Sequence, residues 1–305
     1  MPEFGDRVVR KLNTLELQVY FNKLSPRLAP KSVKLIHGTL RAALNQSREW
    51  GMLDRNPAVG VKLPRKRAVK PTVLLSLTDI RRMIETVKEP TKSMITLIVF
   101  ASMRPGEVLA LRWKDILADR ITVDERVYDD EFDEVKTDAG EREVPFDKHG
   151  VILAALKRMW TSNKKYRRPE DLVFANRRGN PLDRHNLLHR HLKPVAEKLG
   201  LSSDIDFRSF RTMHASLMRR LGARLEVARD NMGHAGNTGS ITVDVYSKTW
   251  WDERVEAVTR IVEAVFTEPD EEGRKRIAAP LPGVARCGDV AEWEPFWEPR
   301  AIEPA

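Results

Sequence analysis

The chain has 305 residues, enough for two domains, and 41% of them are apolar, enough for a substantial core. A formal net charge of +9 and a pI near 9.6 favour an anionic polymer as partner, although a soluble protein can be basic without binding one. The single cysteine, Cys287, excludes an internal disulfide and a cysteine-rich metal cluster. With no signal peptide and no apolar run long enough to cross a membrane, we expect a cytoplasmic protein without a membrane partner.

The positive charge is concentrated at the N-terminal end. Residues 1–71 hold 15 Lys/Arg against 5 Asp/Glu, a net charge of +10, whereas residues 267–305 hold 5 against 9, a net charge of −4. An anionic partner is therefore expected to contact the first part of the chain.

Residues 1–63 are predicted to form a small helical domain. Apolar side chains recur there at helical spacing in two stretches, the second running from about Pro30 until Gly51 ends it. The polar faces are rich in Lys and Arg, which indicates either simple solvation or contact with phosphates. The basic residues assigned to DNA contact on the second helix are Lys31, Lys34, Arg41 and Arg48.

A basic linker is predicted over residues 64–71. Prolines bound this stretch and it has no helical period. Its four positive charges, also assigned to DNA contact, are Arg65, Lys66, Arg67 and Lys70.

The second domain, residues 72–266, is predicted to be larger and mostly helical. Thr78 is expected to cap a helix through Lys88, and the apolar stretch 94–101 is expected to be a buried helix. A strand is predicted around 121–127, followed by a hairpin that pairs 134–137 with 142–146. Further helices are expected at 151–160, 183–199, 210–221, 225–231 and 250–266.

The fold class is therefore mainly α, or α+β, with a small helical domain and a larger one that contains a small antiparallel sheet or hairpin. After residue 266, Pro, Glu and Ala dominate and periodicity vanishes, so residues 267–305 are predicted to be mostly disordered.

Arg104 is the first candidate for phosphate chemistry. It stands between an apolar helix and a second helix opened by Pro105, a favoured first helical position. Its planar guanidinium binds two phosphate oxygens at once, and helix N-termini bind anions. On the residues alone, an ordinary surface arginine at a turn is the alternative.

The pattern around Arg104 resembles the first arginine box of the tyrosine recombinases, the phage-integrase family. The matching residues run from Arg104 through Glu107 to Trp113 and Ile116. The resemblance implies that Arg104 binds the scissile phosphate and that Glu107 is a buried group that holds the box in place.

Three more segments extend the resemblance, which covers about residues 10–266. Lys136, followed by a Gly140/Arg142/Val144/Pro145 pattern, resembles the family's β-hairpin lysine, which implies that it protonates the leaving 5′ oxygen. Arg211 matches the second phosphate-binding arginine. Arg208 stands where the family usually has His or Lys. It can hold the phosphate, but it cannot act as a general base near neutral pH, so water or His214 is left to remove the proton of the attacking tyrosine.

The last two residues complete the expected site. Met232-Gly233-His234 resembles the family's Leu-Gly-His box, which implies that His234 donates a hydrogen bond to the scissile phosphate. Tyr246 is the implied nucleophile, although the loop between it and His234 is a few residues longer than usual.

The resemblance implies an enzyme that cuts and rejoins double-stranded DNA through a 3′-phosphotyrosine, without metal, ATP or other cofactor. It also implies a homotetramer on paired DNA sites, possible accessory DNA-bending proteins, and a prokaryotic or phage-derived, nucleoid-associated location. Compared with the family, the small domain is expected to lack an initial helix, which fits a truncated gene, a misplaced start or a minimal integrase. Two alternatives stay open: a DNA-binding relative with impaired catalysis, and a type IB topoisomerase that relaxes supercoils.

Overall fold

A computed structural model describes residues 3–5, 7–64, 75–128, 131–134, 141–233, 249–269 and 275–277. The chain divides into two compact units, Met1–Pro71 and Thr72–Ala305. The linker residues 65–71, with all four basic side chains assigned to DNA contact there, lie outside the described residues.

The first unit contains a short 3₁₀ turn, Val9–Lys11, and two helices, α1 (Thr14–Leu24) and α2 (Pro30–Glu49). The Asn13 side chain caps α1 by accepting a hydrogen bond from the Glu16 amide, and α2 starts on a proline and is followed by Gly51 at a φ of +70°. Among the described residues of the first unit, the core contains six buried apolar side chains: Leu17, Phe21, Val33, Leu44, Ala58 and Val61.

The second unit begins with three helices, α3 (Leu77–Thr86), α4 (Thr91–Phe100) and α5 (Pro105–Ala110). The prediction that Thr78 caps α3 was wrong by two residues, because Ser76 and Asp79 form a reciprocal capping box instead. The helix α4 is buried along nearly its whole length and packs against α3, α5 and later helices, which makes it the centre of the unit's core.

Four short strands follow a 3₁₀ turn at Trp113–Asp115: β1 (Arg120–Val123), β2 (Glu125–Tyr128), β3 (Glu131–Glu134) and β4 (Arg142–Pro145). They form two antiparallel pairs, β1 with β4 and β2 with β3. The predicted hairpin paired 134–137 with 142–146, but among the described residues β4 lies beside β1, and 135–140 are outside them.

The remaining elements of the described part of the chain are helical except at the end. They are α6 (Val151–Ser162), α7 (Arg184–Asn186), a π-helical turn (Leu187–Leu192), α8 (Lys193–Lys198), α9 (Phe207–Arg220), α10 (Leu225–Met232) and α11 (Trp251–Phe266). In the predicted tail, β5 (Thr267–Pro269) pairs with β6 (Lys275–Ile277), and the other tail residues lie outside the described part.

The apolar stripe of α11 packs on its own unit. Val258, Ile261, Val262 and Val265 are buried in the same core as α4, and α11 also contacts α3, α9 and α10. Across the described ranges, no helix combines the length and apolarity needed to cross a membrane.

Candidate active-site cleft

A cleft of about 430 Å³ opens where the N-terminal ends of α5 and α9 approach β2. Its lining residues come from five separate stretches of the second unit. They include five arginines and one carboxylate: Arg104, Arg126, Arg184, Arg208, Arg211 and Glu107. Such a surplus of guanidinium groups around a concave surface favours an anion.

Arg104 occupies the N-cap position of α5, as the Arg-Pro pair predicts. Its backbone amide donates to Glu107 Oε2 at 2.7 Å and its Nη1 donates to Glu107 Oε1 at 2.6 Å. Its Nη2 donates to the Gly233 carbonyl at 3.2 Å. The side chain is nevertheless 41% exposed, so it is oriented by these contacts while still open to an incoming anion.

Glu107 is the buried centre of the cluster. It is 2% exposed, and besides the two bonds from Arg104 it receives two from Arg142, whose Nη1 and Nη2 lie 3.2 and 2.8 Å from Oε1 and Oε2. Burial alone raises the pKa of this carboxyl, but the charge and hydrogen bonds of Arg142 and Arg104 outweigh burial and lower the pKa to about 2. Glu107 is therefore ionised at neutral pH.

Arg211 lies on the second turn of α9, whose N-terminus is capped by Asp206. Its two Nη atoms donate to the Ser102 and Met232 carbonyls, and Nη1 is 4.0 Å from Glu107 Oε2. Burial, with the charges of Arg142 and Arg104, lowers the pKa of Arg211 to about 9, against the opposing charge of Glu107. Arg211 thus stays protonated at neutral pH, fixed from behind by backbone carbonyls.

Arg208 precedes Arg211 by one helical turn and also lines the cleft. It is exposed, unlike Arg211. Its position is compatible with holding an anion, whereas a permanently charged guanidinium cannot accept a proton.

His214, the other residue considered for proton removal, lies outside the cleft. It is fully buried on the inner face of α9, and its Nδ1 forms a 2.8 Å hydrogen bond with the Val99 carbonyl. Burial lowers its pKa to about 4, opposed by the bond to Val99. His214 is accordingly a neutral core residue that joins α9 to α4.

The outer wall of the cleft was not predicted from the sequence. It is formed by β2, which contributes Arg126 and the 62%-exposed Tyr128, and by Arg184 at the start of α7. The strand approaches α5 so closely that a Cβ on Gly106 would lie 2.6 Å from the Val127 carbonyl oxygen. Glycine at this position therefore lets the wall close on the arginines.

Arg142 was also missed as part of the cluster. It stands in the Gly140/Arg142/Val144/Pro145 pattern, where strand alternation alone gives no reason to place a cation in the interior. The structure buries its side chain to 5% exposure against Glu107.

Three predicted catalytic residues, Lys136, His234 and Tyr246, lie outside the described residues. The ends of the 234–248 stretch are described: the Gly233 carbonyl accepts from Arg104, and the Thr249 hydroxyl donates to Asp230 of α10. Within the described ranges, no three His, Cys, Asp or Glu side chains come together as a metal site.

Similar known sequences include tyrosine recombinases and phage integrases. A profile of the phage integrase family matches residues 74–248, more than half of the chain. A XerC-like tyrosine recombinase from Caldanaerobacter subterraneus subsp. tengcongensis is 23% identical over 81% of this chain and 70% of its own length. The integrase of Mycobacterium phage D29 is 24% identical over 76% of this chain and 63% of its own length.

Solved structures share the fold at low identity. The Tn1549 transposon integrase bound to circular intermediate DNA has a TM-score of 0.65 at 16% identity, covering 84% of this chain and 89% of that one. A lambda integrase tetramer bound to a Holliday junction has a TM-score of 0.58 at 18% identity, covering 75% and 66%. The chain belongs to the phage integrase family: it is a tyrosine recombinase, an enzyme of site-specific DNA strand transfer.

Proposed function

We propose that this recombinase cuts and rejoins double-stranded DNA by attack of Tyr246 on a scissile phosphate held between Arg104 and Arg211. The observation that carries the proposal is that these two arginines, distant in sequence, are tied to one buried carboxylate, Glu107, at a cleft lined by five arginines. No step of the proposed reaction requires a metal or a nucleotide.

The chemistry follows from the charge that develops on the phosphate. As the tyrosine oxygen bonds to phosphorus, the bond from phosphorus to the 5′ oxygen breaks, giving a 3′-phosphotyrosine and a 5′ hydroxyl. Negative charge accumulates on the nonbridging oxygens in the transition state, and preorganised guanidinium groups stabilise it. The cluster suits this task because Arg104 is exposed on a fixed backbone cap and Arg211 is clamped from behind.

The proton transfers are assigned from the family resemblance. Lys136 protonates the leaving 5′ oxygen, and His234 donates a hydrogen bond to the phosphate. The proton of Tyr246 passes to water, because Arg208 cannot accept it and His214 is buried away from the cleft.

We propose that Tyr246 acts at the cleft of its own protomer, because the described residues on either side of its segment, Gly233 and Thr249, belong to the same unit as the cleft. The Gly233 carbonyl accepts a hydrogen bond from Arg104. Thr249 is bonded to Asp230 of α10, and Met232 at the end of that helix lines the cleft. The helix that follows, α11, is anchored in the same unit by its buried apolar stripe.

The DNA partner is supported by exposed charge in the first unit. Lys31, Lys34, Arg41 and Arg48 are all exposed on α2, and at 100° per residue they lie on one face of it. None of the four forms an ion pair within the described part of the chain. Such uncompensated charges contact phosphates and make affinity fall steeply with salt.

Assembly on paired DNA sites as a homotetramer is proposed by analogy with lambda integrase, described as a tetramer on a Holliday junction. Because the α11 stripe is buried within its own unit, such an assembly uses other surfaces. Accessory DNA-bending proteins and the nucleoid location stay predictions.

Covalent trapping tests the proposal. The full chain is incubated with nicked DNA from the region that flanks its gene and run on a denaturing gel beside Tyr246→Phe. We expect an adduct from the native chain and none from Tyr246→Phe, with DNA binding unchanged. The matched control is Tyr128→Phe, because Tyr128 is exposed at the cleft and is the competing nucleophile.

Each other outcome selects a different conclusion. An adduct that depends on Tyr128 would move the nucleophile. DNA binding with no adduct from any version would favour the impaired relative. Relaxation of supercoiled plasmid without sequence preference, by a monomer, would favour topoisomerase activity.

A further inference from the structure

The buried arginine of β4 contacts three separate segments beside the candidate site. Arg142 donates through two nitrogens to the carboxylate of Glu107, through Nε to the Asn231 carbonyl at 3.1 Å, and through Nη2 to the Ser102 carbonyl at 3.3 Å. A single side chain thus joins the turn before α5, the first turn of α5, β4 and the end of α10.

These are the segments that carry the reacting groups. Ser102 and Glu107 flank Arg104, Arg142 follows Lys136 by six residues, and Asn231 precedes His234 by three. The Ser102 carbonyl also accepts from Arg211, and Glu107 also accepts from Arg104. Arg142 therefore shares one acceptor with each of the two phosphate-binding arginines.

Arg142 itself cannot bind the DNA phosphate in this arrangement. Its side chain is 5% exposed, its guanidinium faces Glu107, and it is not among the residues that line the cleft. A cation buried at this depth needs a partner of opposite charge, and Glu107 is that partner. The two hydrogen bonds from Arg142 fix both oxygens of the Glu107 carboxylate, which also accepts from Arg104.

We infer that Arg142 is a positioning residue for strand cleavage: it orients Glu107 and the Ser102 carbonyl so that Arg104 and Arg211 converge on one phosphate. The inference rests on the proposed function of the cleft. It assigns a role to an arginine that never touches the DNA, and it makes the bidentate shape of the side chain essential, because lysine supplies the charge without the fork.

The test compares Arg142→Lys with the native chain in single-turnover cleavage of the nicked DNA. We expect the first-order cleavage rate to fall about 100-fold, since a displacement of about 1 Å at a reacting group costs that much. DNA affinity should stay within about twofold, because exposed basic side chains dominate it. The matched control is Arg120→Lys, an arginine of β1 whose partners Asp119 and Glu143 lie outside the cleft.

Two further readouts separate positioning from a loss of folding. In Arg142→Ala, added guanidinium should restore part of the cleavage rate by reoccupying the space between Glu107 and Asn231. In Arg142→Met, Glu107 loses its strongest charge partner, so the pKa of its carboxyl should rise. On acidification, the cleavage rate of this variant should therefore begin to fall at a higher pH than that of the native chain. A merely structural defect would lower the rate equally at every pH and resist guanidinium.

The results that would refute this inference differ from those that would refute the proposed function. If the native chain forms no adduct, the proposed function fails. If the native chain cleaves and folded Arg142→Lys cleaves at the same rate, the positioning role is refuted. The role is equally refuted if the rate losses track the unfolded fraction measured by circular dichroism, with no rescue and no change in pH profile.

Discussion

Replacing Glu107 by Gln removes the one carboxylate that three arginines share. The substitution keeps the shape of the side chain but removes the negative charge that faces the buried Arg142 guanidinium. It also replaces one of the two carboxylate oxygens that fix Arg104 with an NH2 group, which cannot accept a hydrogen bond. We therefore expect Glu107→Gln to destabilise the second unit and to abolish cleavage.

The size of the destabilisation follows from the electrostatics of the site. A carboxyl whose pKa falls from the ordinary value of 4.5 to about 2 contributes about 3 kcal/mol to folding at neutral pH. Removing one partner of a buried ion pair costs about 3–5 kcal/mol. For a unit of this size, such a loss lowers the melting temperature by roughly 10 °C.

The pH dependence has a definite sign. Because the folded-state pKa of Glu107 is depressed, its contribution is complete above the ordinary pKa and is lost as the pH falls towards about 2. Protonated glutamate resembles glutamine, so the difference in unfolding free energy between the native chain and Glu107→Gln should shrink by about half between pH 7 and pH 3. Urea unfolding followed by circular dichroism across this range measures the difference.

A control variant tests whether the loss of stability requires a buried carboxylate or follows from removing any ion-paired carboxylate. Glu85 forms an exposed i,i+4 pair with Arg81, so Glu85→Gln should change the free energy of unfolding by no more than about 0.5 kcal/mol at any of these pH values. If Glu107→Gln were as stable as this control, or if its deficit did not change with pH, the assignment of Glu107 as the ionised centre of the cleft would be refuted.

Two further predictions concern packing and DNA contact. Gly106→Ala should destabilise the second unit by about 1–3 kcal/mol in urea unfolding, because the new Cβ would meet the Val127 carbonyl. The control Gly38→Ala has open space around the new Cβ and should be neutral or stabilising. Equal effects of the two substitutions would contradict the close approach of β2 to α5. The double variant Lys34→Gln/Arg41→Gln should reduce the slope of log DNA affinity against log salt concentration by about 2. The control Arg7→Gln/Lys23→Gln removes side chains that are already ion-paired and should reduce the slope less. Indistinguishable slopes would contradict a DNA-facing α2.

Much of the local structure was predictable because local physics decides it. Apolar spacing gave α1, α2, α4 and α11, and the proline before α5 placed Arg104 at a helix N-terminus. The error at α3 was of the same local kind: Ser76 and Thr78 are both good caps, and the Asp79 side chain that completes a capping box selected Ser76.

The grouping of Arg104, Glu107 and Arg211 was expected only through a family resemblance, and the structure brings these three together in one cluster. Nothing local to the sequence distinguished Arg142 from a solvent-facing strand residue. The reason is that burying a charge depends on its counter-charge, and Glu107 lies 35 residues away along the chain.

The sequence by itself determined the helices, the basic character of the first unit and, through its motifs, the family. Only the tertiary structure decided which arginines share Glu107, which strand walls the cleft, and that α11 packs on its own unit. Periodicity and capping act over a few neighbouring residues and can be read along the chain. Charge pairing and the close contact of Gly106 with Val127 act through space, between segments that only the fold brings together.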